Sequence, residues 1–304
     1  LGKAILRAKY DLAVNKDGTI RYDCSEITLT HFKPKEVRTS IDKLKTLGYT
    51  HDIHGKELTT PDQICELLPQ DVVLPSCPSA GHETSDDALI RTAQFIDDLL
   101  IRLYKLPPYY NIKTADDCVG HLLIALAPHT SAGLAVRIIG FSKTQGFLAH
   151  PYVHQACRRD CDGDEIGYIL LLDGFLNFSR KFLPDTRGSA MDAPLVLTSK
   201  LIPTEIDEQC FTLGIVTTYP LDVYEAALAC KMPKDIKIKQ IKHTLGKTEQ
   251  YEGHAFTHDN GDLNAGVLCS AYKTLPSMEE KLKGQMILAM KIRAVEASDV
   301  ARLV

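Results

Sequence analysis

The sequence predicts an α+β protein in which strands and helices follow one another in irregular order. Three observations carry this. Roughly the first 50 residues read as short alternating runs, such as Leu12-Ala13-Val14 and Ile27-Thr28-Leu29, with a turn at Asn15-Lys16-Asp17-Gly18. A strong helical repeat begins near Ser85. Neither GxGxxG nor GxxxxGK[ST], the phosphate-cradling loops of regular βα proteins, occurs.

In chain order, the opening segment is expected to form short strands joined by hairpins. The stretch from Leu74-Pro75 to Ser85 is rich in Pro, Ser and Gly and is expected to be a loop. Ser85 or Asp86 then caps a helix whose Leu89, Ala93, Ile96, Leu100 and Leu103 recur at helical spacing, and Pro107-Pro108 ends it. Two apolar helices are expected at Cys118–Ala127 and Ser131–Phe141, separated by Pro128. A further helix is expected at Pro220–Cys230. Ser277-x-x-Glu280 is a capping box opening a long terminal helix, with Leu282, Met286, Met290 and Arg293 on one face.

The 304 residues suggest one large domain or two smaller ones, at about 150 residues per domain. A content of 44 % hydrophobic and 24 % charged residues is that of a folded globular chain. No apolar run reaches the ~18 residues a membrane span needs. Leu1-Gly2-Lys3 has neither an initiator Met nor a signal pattern, and reads as the cut end of a longer chain. A formal charge of −4 gives no global basic character, although a local basic strip would suffice for nucleic acid. The nine cysteines are scattered and no CxxC pair occurs. Cys157 and Cys161 are the closest pair and are poorly spaced for zinc, so reduced thiols of a cytosolic protein, without a zinc site, are expected.

The most informative stretch is Arg158-Arg159-Asp160-Cys161-Asp162-Gly163-Asp164-Glu165. Alternate residues of an extended chain point to one side, so three carboxylates would repel unless a cation sat among them. Hard divalent ions such as Mg²⁺ favour oxygen ligands, and Gly163 permits the tight bend that brings Asp162 and Asp164 together. A calcium loop would need Gly and Glu where Glu165 and Leu171 stand. A plain solvated acidic turn is the other reading of the residues alone. The apolar run Ile169–Leu172 that follows favours a loop anchored on a buried element, and Arg180, Lys181 and Arg187 add cations nearby. Carboxylate-held metal beside Arg and Lys is the makeup of a phosphoryl-transfer site.

This stretch, taken with Ala149-His150-Pro151-Tyr152, Leu170–Gly174, Leu176–Arg180, Arg187-Gly188 and Met191–Val196, resembles the large subunit of archaeal family D DNA polymerases. Thr30–Glu36, Leu47–Asp52, Ala127–Gly133, Phe256–Asp259 and Lys291–Val295 resemble it too, so the likeness runs along nearly the whole chain. It implies a double-psi β-barrel carrying the acidic loop with helices around it. It also implies that residues 1–304 are a fragment of the catalytic core: barrel strands at about 1–75 and 145–220, a helical insertion at about 86–145, and a C-terminal α+β part at 220–304. Two positions depart from the family's usual Asn-Cys-Asp-Gly-Asp-Glu-Asp: the first is Asp160 and the last Ile166.

The function so implied is addition of deoxynucleotides to a primer 3′-hydroxyl in archaeal replication. Asp162 and Asp164, helped by Asp160, would hold two Mg²⁺ ions, with Mn²⁺ as a substitute. Arg158, Arg159, Arg180, Arg187, Lys33 and Lys35 are candidate contacts to DNA or nucleotide phosphates. His150, His154, His129 and Asp192 are candidate supports of the site. The implied partners are a small exonuclease subunit, primer–template DNA, deoxynucleoside triphosphates and a sliding clamp. Two other readings stay open. One is a metal-dependent nuclease or phosphohydrolase, for which His150 and His154 are the only local bases; the other is a non-catalytic scaffold copy of the core.

Overall fold

The computed structural model describes residues 2–127, 130, 132–160, 162–179, 195–254, 261–270, 275, 277–292 and 295–303. The chain divides into two compact units, Leu1–Leu268 and Cys269–Val304. The described strands of the first unit are β1 (Tyr22–Thr28), β2 (His31–Phe32), β3 (Cys65–Glu66), β4 (Asp71–Pro75), β5 (Leu122–Leu126), β6 (Ala132–Ser142), β7 (Phe147–Ala149), β8 (Glu165–Leu170) and β9 (Val196–Thr198). Its α-helices are α1 (Gly2–Lys9), α2 (Pro34–Val37), α3 (Ile41–Thr46), α4 (Ser85–Leu99), α5 (Ala115–Cys118), α6 (Pro151–Ala156), α7 (Leu171–Asn177) and α8 (Leu221–Leu228). The second unit holds α9 (Met278–Lys291) and α10 (Ala297–Leu303).

Six strands close into a barrel in the order β4-β7-β1-β8-β5-β6, with β6 returning to pair β4. The pairing is mixed: β1–β7 and β4–β6 are parallel, whereas β1–β8, β4–β7, β5–β6 and β5–β8 are antiparallel. Such a closed mixed barrel with helices packed on it is compatible with a double-psi barrel, the α+β architecture expected. β9 extends β6 in parallel, and β2 and β3 form a separate antiparallel pair.

Side-chain alternation explains why the strands are so apolar. Val72 and Leu74, Leu123 and Ala125, and Ile166 and Tyr168 belong to one buried cluster. The residues between them point the other way: Val73 joins a second cluster with Phe32 and Leu44, and Ile124 and Ile169 join a third. Strands buried on both faces lose the polar half of their alternation. This is the physical reason that 118–127 and 131–141, expected as helices, are instead β5 and β6. A continuous apolar run does not distinguish a two-sided strand from a buried helix. The region expected as a helical insertion therefore supplies two barrel strands. The first fifty residues also differ from the expectation of strands and hairpins: α1 opens them, and only β1 and β2 are strands. Residues 12–14 lie in neither.

The helix expected from Ser85 is present as α4, with Thr84 as its N-cap in place of Ser85 or Asp86. Its buried Leu89, Ala93, Phe95, Ile96 and Leu99 join the barrel cluster, the Leu, Ile and Phe side chains each contributing about 1.5–3 kcal/mol of transfer free energy. The last turn, Leu100–Tyr104, widens to π spacing and stops at left-handed Lys105, so Leu103 faces solvent and not the core. The helix expected at Pro220–Cys230 is α8, and Ser277 accepts from Glu280 N at 3.2 Å to open α9. Among the described residues no helix is long and apolar enough to cross a membrane.

Candidate active site

The acidic loop joins α6 to β8, and both of its ends are fixed by buried structure. Pro151 occupies the first turn of α6 and His150 caps it, Nδ1 accepting from Tyr152 N at 3.2 Å. His150 is 1 % exposed and its Nε2 lies 3.3 Å from His254 Nδ1. Burial, then the neighbouring His254, His154 and His31, holds its pKa well below the ordinary imidazole value, so the ring is neutral. One turn later the backbone leaves the helix. Arg158 takes φ +58°, Arg159 N donates to His154 O at 2.9 Å, and Gln155 Nε2 donates to Arg159 O at 3.0 Å. At the far end Glu26 N donates to Asp164 O at 2.9 Å, and β8 begins with Glu165 opposite Ser25.

Glu26, which sequence reasoning missed, lies directly behind this loop. Its Oε2 is 2.6 Å from His154 Nδ1, and the two side chains are 1 % and 0 % exposed. His154 Nε2 faces the Ile27 carbonyl oxygen at 3.2 Å and donates to it. The buried pair thus ties α6, from which the loop departs, to β1, the strand paired with β8 where the loop ends. An isolated Glu in an alternating strand gives no sequence signal for such a role; only the pairing of β1 with β8 brings it beneath Asp164.

Asp160 and Asp162 are exposed and Asp164 is half-exposed. Gly163, at φ +102°, makes the bend, and an added β carbon there would meet nothing within 4 Å. The expected convergence is not present: among the described residues no three His, Cys, Asp or Glu side chains are placed to hold one metal ion. Asp164 is turned instead to Arg159, whose Nη1 lies 3.5 Å from its Oδ2. The donor chemistry nonetheless suits a hard divalent ion. The available ligands are carboxylate oxygens, the bend is open, and Asp160 borders a cleft of about 620 Å³ shared with Arg158 and Lys200.

The other expected residues fall in different places. Arg158 and Arg159 flank the acids. Lys33 Nζ donates to Gly261 O at 3.3 Å, and its backbone N is taken by Glu36 Oε2. Lys35 forms an exposed ion pair with Asp62 at 2.6 Å. None of these contacts reaches the loop. His150 and His154 are buried supports engaged with His254 and Glu26. Ile166, where the family pattern has an acid, is fully buried in β8 opposite Cys24, so this position supplies packing and not a ligand. His129, Cys161, Arg180, Lys181, Arg187 and Asp192 lie outside the described residues.

The chain has relatives among known proteins. Over the entire chain it is 50 % identical to the DNA polymerase II large subunit of Archaeoglobus fulgidus, covering 26 % of that protein. It is 49 % identical to those of Pyrococcus furiosus, covering 24 %, and Methanococcus maripaludis, covering 26 %. The chain thus spans about a quarter of the length of the curated relatives it matches. Residues 1–281 match the family model described as DNA polymerase II large subunit DP2, catalytic domain. The chain therefore belongs to the DP2 catalytic-domain family of DNA polymerase II large subunits.

Proposed function

We propose that this chain is the part of an archaeal family D DNA-directed DNA polymerase large subunit that carries the metal-binding acids. The observation that carries the reading is the loop 160–164. It presents three carboxylates to solvent beside an open cleft while its two ends are fixed by buried contacts. Asp162 and Asp164, with Asp160, would hold divalent ions, two Mg²⁺ or Mn²⁺. Such ions, when bound, lower the pKa of a primer 3′-hydroxyl and offset charge on the pyrophosphate leaving group. The chain's own contribution is placement. α6 and β8 hold the loop, Arg158 faces the cleft where phosphates would lie, and Arg159 offsets part of the charge of Asp164. Arg180, Arg187, Lys33 and Lys35 remain candidate phosphate contacts, and Asp192 a candidate support. The partners on this reading are primer–template DNA, deoxynucleoside triphosphates, a small exonuclease subunit and a sliding clamp, in the cytoplasm.

The test is primer extension by the complete polymerase in Mg²⁺. Asp162→Ala and Asp164→Ala should each reduce the rate by at least about a hundredfold, the scale of losing a principal electrostatic stabiliser. Unchanged extension in both variants would sink the reading. One observation favours a second, scaffold reading: the carboxylates do not converge here. Mn²⁺ titration followed by electron paramagnetic resonance decides between them, since a scaffold copy shows no Mn²⁺ binding that depends on Asp162. The hydrolytic reading gains nothing, because both local histidines are buried and engaged.

A further inference from the structure

Downstream of α8 the sequence carries a run that the acidic loop does not explain. Residues 231–247 contain Lys231, Lys234, Lys237, Lys239, Lys242 and Lys247 against one acid, Asp235, within a chain whose formal charge is −4. A lysine run is often no more than a solvated face, but this one is ordered in a specific way. Ile236 and Ile238 are half-buried and Ile241 is buried, while Lys237, Lys239 and Lys242 are exposed. The isoleucines hold the segment down and the lysines face out.

The backbone is fastened as well. Ile215 N donates to Lys239 O at 2.9 Å and Ile241 N donates to Leu213 O at 3.1 Å. Gln240 Nε2 donates to Thr212 O at 2.8 Å, and Gly214 bridges Gln240. The exposed side chains converge on one groove of about 800 Å³ lined by Thr212, Lys234, Lys237, Lys239, Lys242 and His243, with no carboxylate among its lining residues. Lys239 Nζ lies 3.9 Å from Glu249 Oε2, at the limit of an ion pair. The groove also has a defined place relative to the acids. The turn Glu208–Thr212 packs against both α6, which leads into the acidic loop, and the turn Ile241–His243 at the groove.

We propose that this groove is a binding track for the phosphate backbone of the primer–template duplex, separate from the carboxylate loop. Alternate residues of an extended chain stand about 6.6 Å apart. Lys237 and Lys239 can therefore meet different phosphates of one strand, whose charges recur about every 3.4 Å of helix axis. Long, flexible ammonium side chains without a built base-reading pocket fit sequence-independent contact to phosphates. The track takes the identity of its nucleic acid from the polymerase reading above, but it needs no metal.

The test uses the complete polymerase and a fluorescein-labelled primer–template duplex in EDTA, with affinity followed by anisotropy from about 50 to 200 mM salt. Each neutralised phosphate contact contributes about 0.9 to the slope of log affinity against log salt. K237Q/K239Q/K242Q should lower that slope by about 2–3 units and weaken binding more than tenfold at the low-salt end. K237R/K239R/K242R, which keeps the charge, should restore both. If the glutamine triple fails to fold, the single Lys239→Gln must still lower the slope by about 1. An unchanged slope overturns the proposal. So does equal loss in the glutamine and arginine triples, or loss of subunit association with DNA binding intact. If the unsubstituted enzyme binds duplex in EDTA with lysine-dependent slope yet fails to extend primers in Mg²⁺, the polymerase reading falls and the track stands.

Discussion

Among single residues, Glu26 and His154 carry the largest consequence for the site. Two fully buried groups at 2.6 Å are stable only as a pair. Removing one partner leaves an uncompensated polar group in the barrel core. Glu26→Ala or His154→Ala is expected to lose about 3–5 kcal/mol in denaturant unfolding. Glu26→Met combined with His154→Leu should recover most of it, and equal losses in the single and double variants would count against a coupled pair. Asp173 gives a pH signature of the opposite kind to most carboxylates. It is fully buried, accepts from Ile20 N and Asn177 Nδ2 at 2.7 Å each, and burial raises its pKa to about 6. A raised carboxyl pKa means that the folded state holds the extra proton between the ordinary ~3.9 and about 6. Its contribution is therefore most favourable below that window and declines as pH rises through it. Asp173→Asn should remove this decline, so the stability difference between the two proteins should shift by up to ~3 kcal/mol between pH 4 and pH 7. A constant difference across that range would contradict the assignment.

Glycines decide how elements approach one another. A β carbon on Gly140 would sit 2.2 Å from the Val37 carbonyl oxygen, where α2 lies on β6, and backbone cannot swing aside as a side chain can. Gly140→Ala should destabilise by at least ~1–3 kcal/mol, the scale of an overpacked contact, measured by chemical denaturation. Gly163→Ala meets no atom but must hold φ +102°, at a cost of about 1–3 kcal/mol unless the loop abandons that bend; weaker Mn²⁺ binding is the expected outcome.

At this scale the limits of sequence reading are physical. α4 and α9 were legible because each combines a capping residue with helical spacing, and α8 as a bounded segment after Pro220. β5 and β6 were not, because burial on both faces erased their alternation. The β-branched Val136, Ile138 and Ile139 and the glycines at 133 and 140 were the strand signals available. The alternate carboxylates around Gly163 stand out in the sequence. The pairing of Asp164 with Arg159 does not, because it depends on where α6 ends. Glu26 and the lysine groove needed the tertiary fold, which pairs β1 with β8 and lays residues 239–241 against 213–215.

For the whole molecule, closure of the barrel predicts where stability is greatest. β4 is buried along its length, and all but the first residue of β5 and of β8 is buried. Their amides should exchange slowest with solvent, and those of α8, with one buried residue, among the fastest. Uniform exchange rates would argue against a cooperative barrel core. The charge of the molecule is divided in the same spirit: acids gather on the loop after α6 and lysines on the groove after α8, so a net charge of −4 says little about what either face attracts.

β6 is hydrogen-bonded to β5, β4 and β9, three neighbours along its eleven residues. Because side chains alternate with a period of two, deleting one residue from its middle would reverse the facing of everything beyond the deletion. An open sheet could absorb such an error at its margin. Here β6 closes the barrel with β5 over residues 133–137 and with β4 over residues 137–142, so length changes are tolerated best in the connections before and after it.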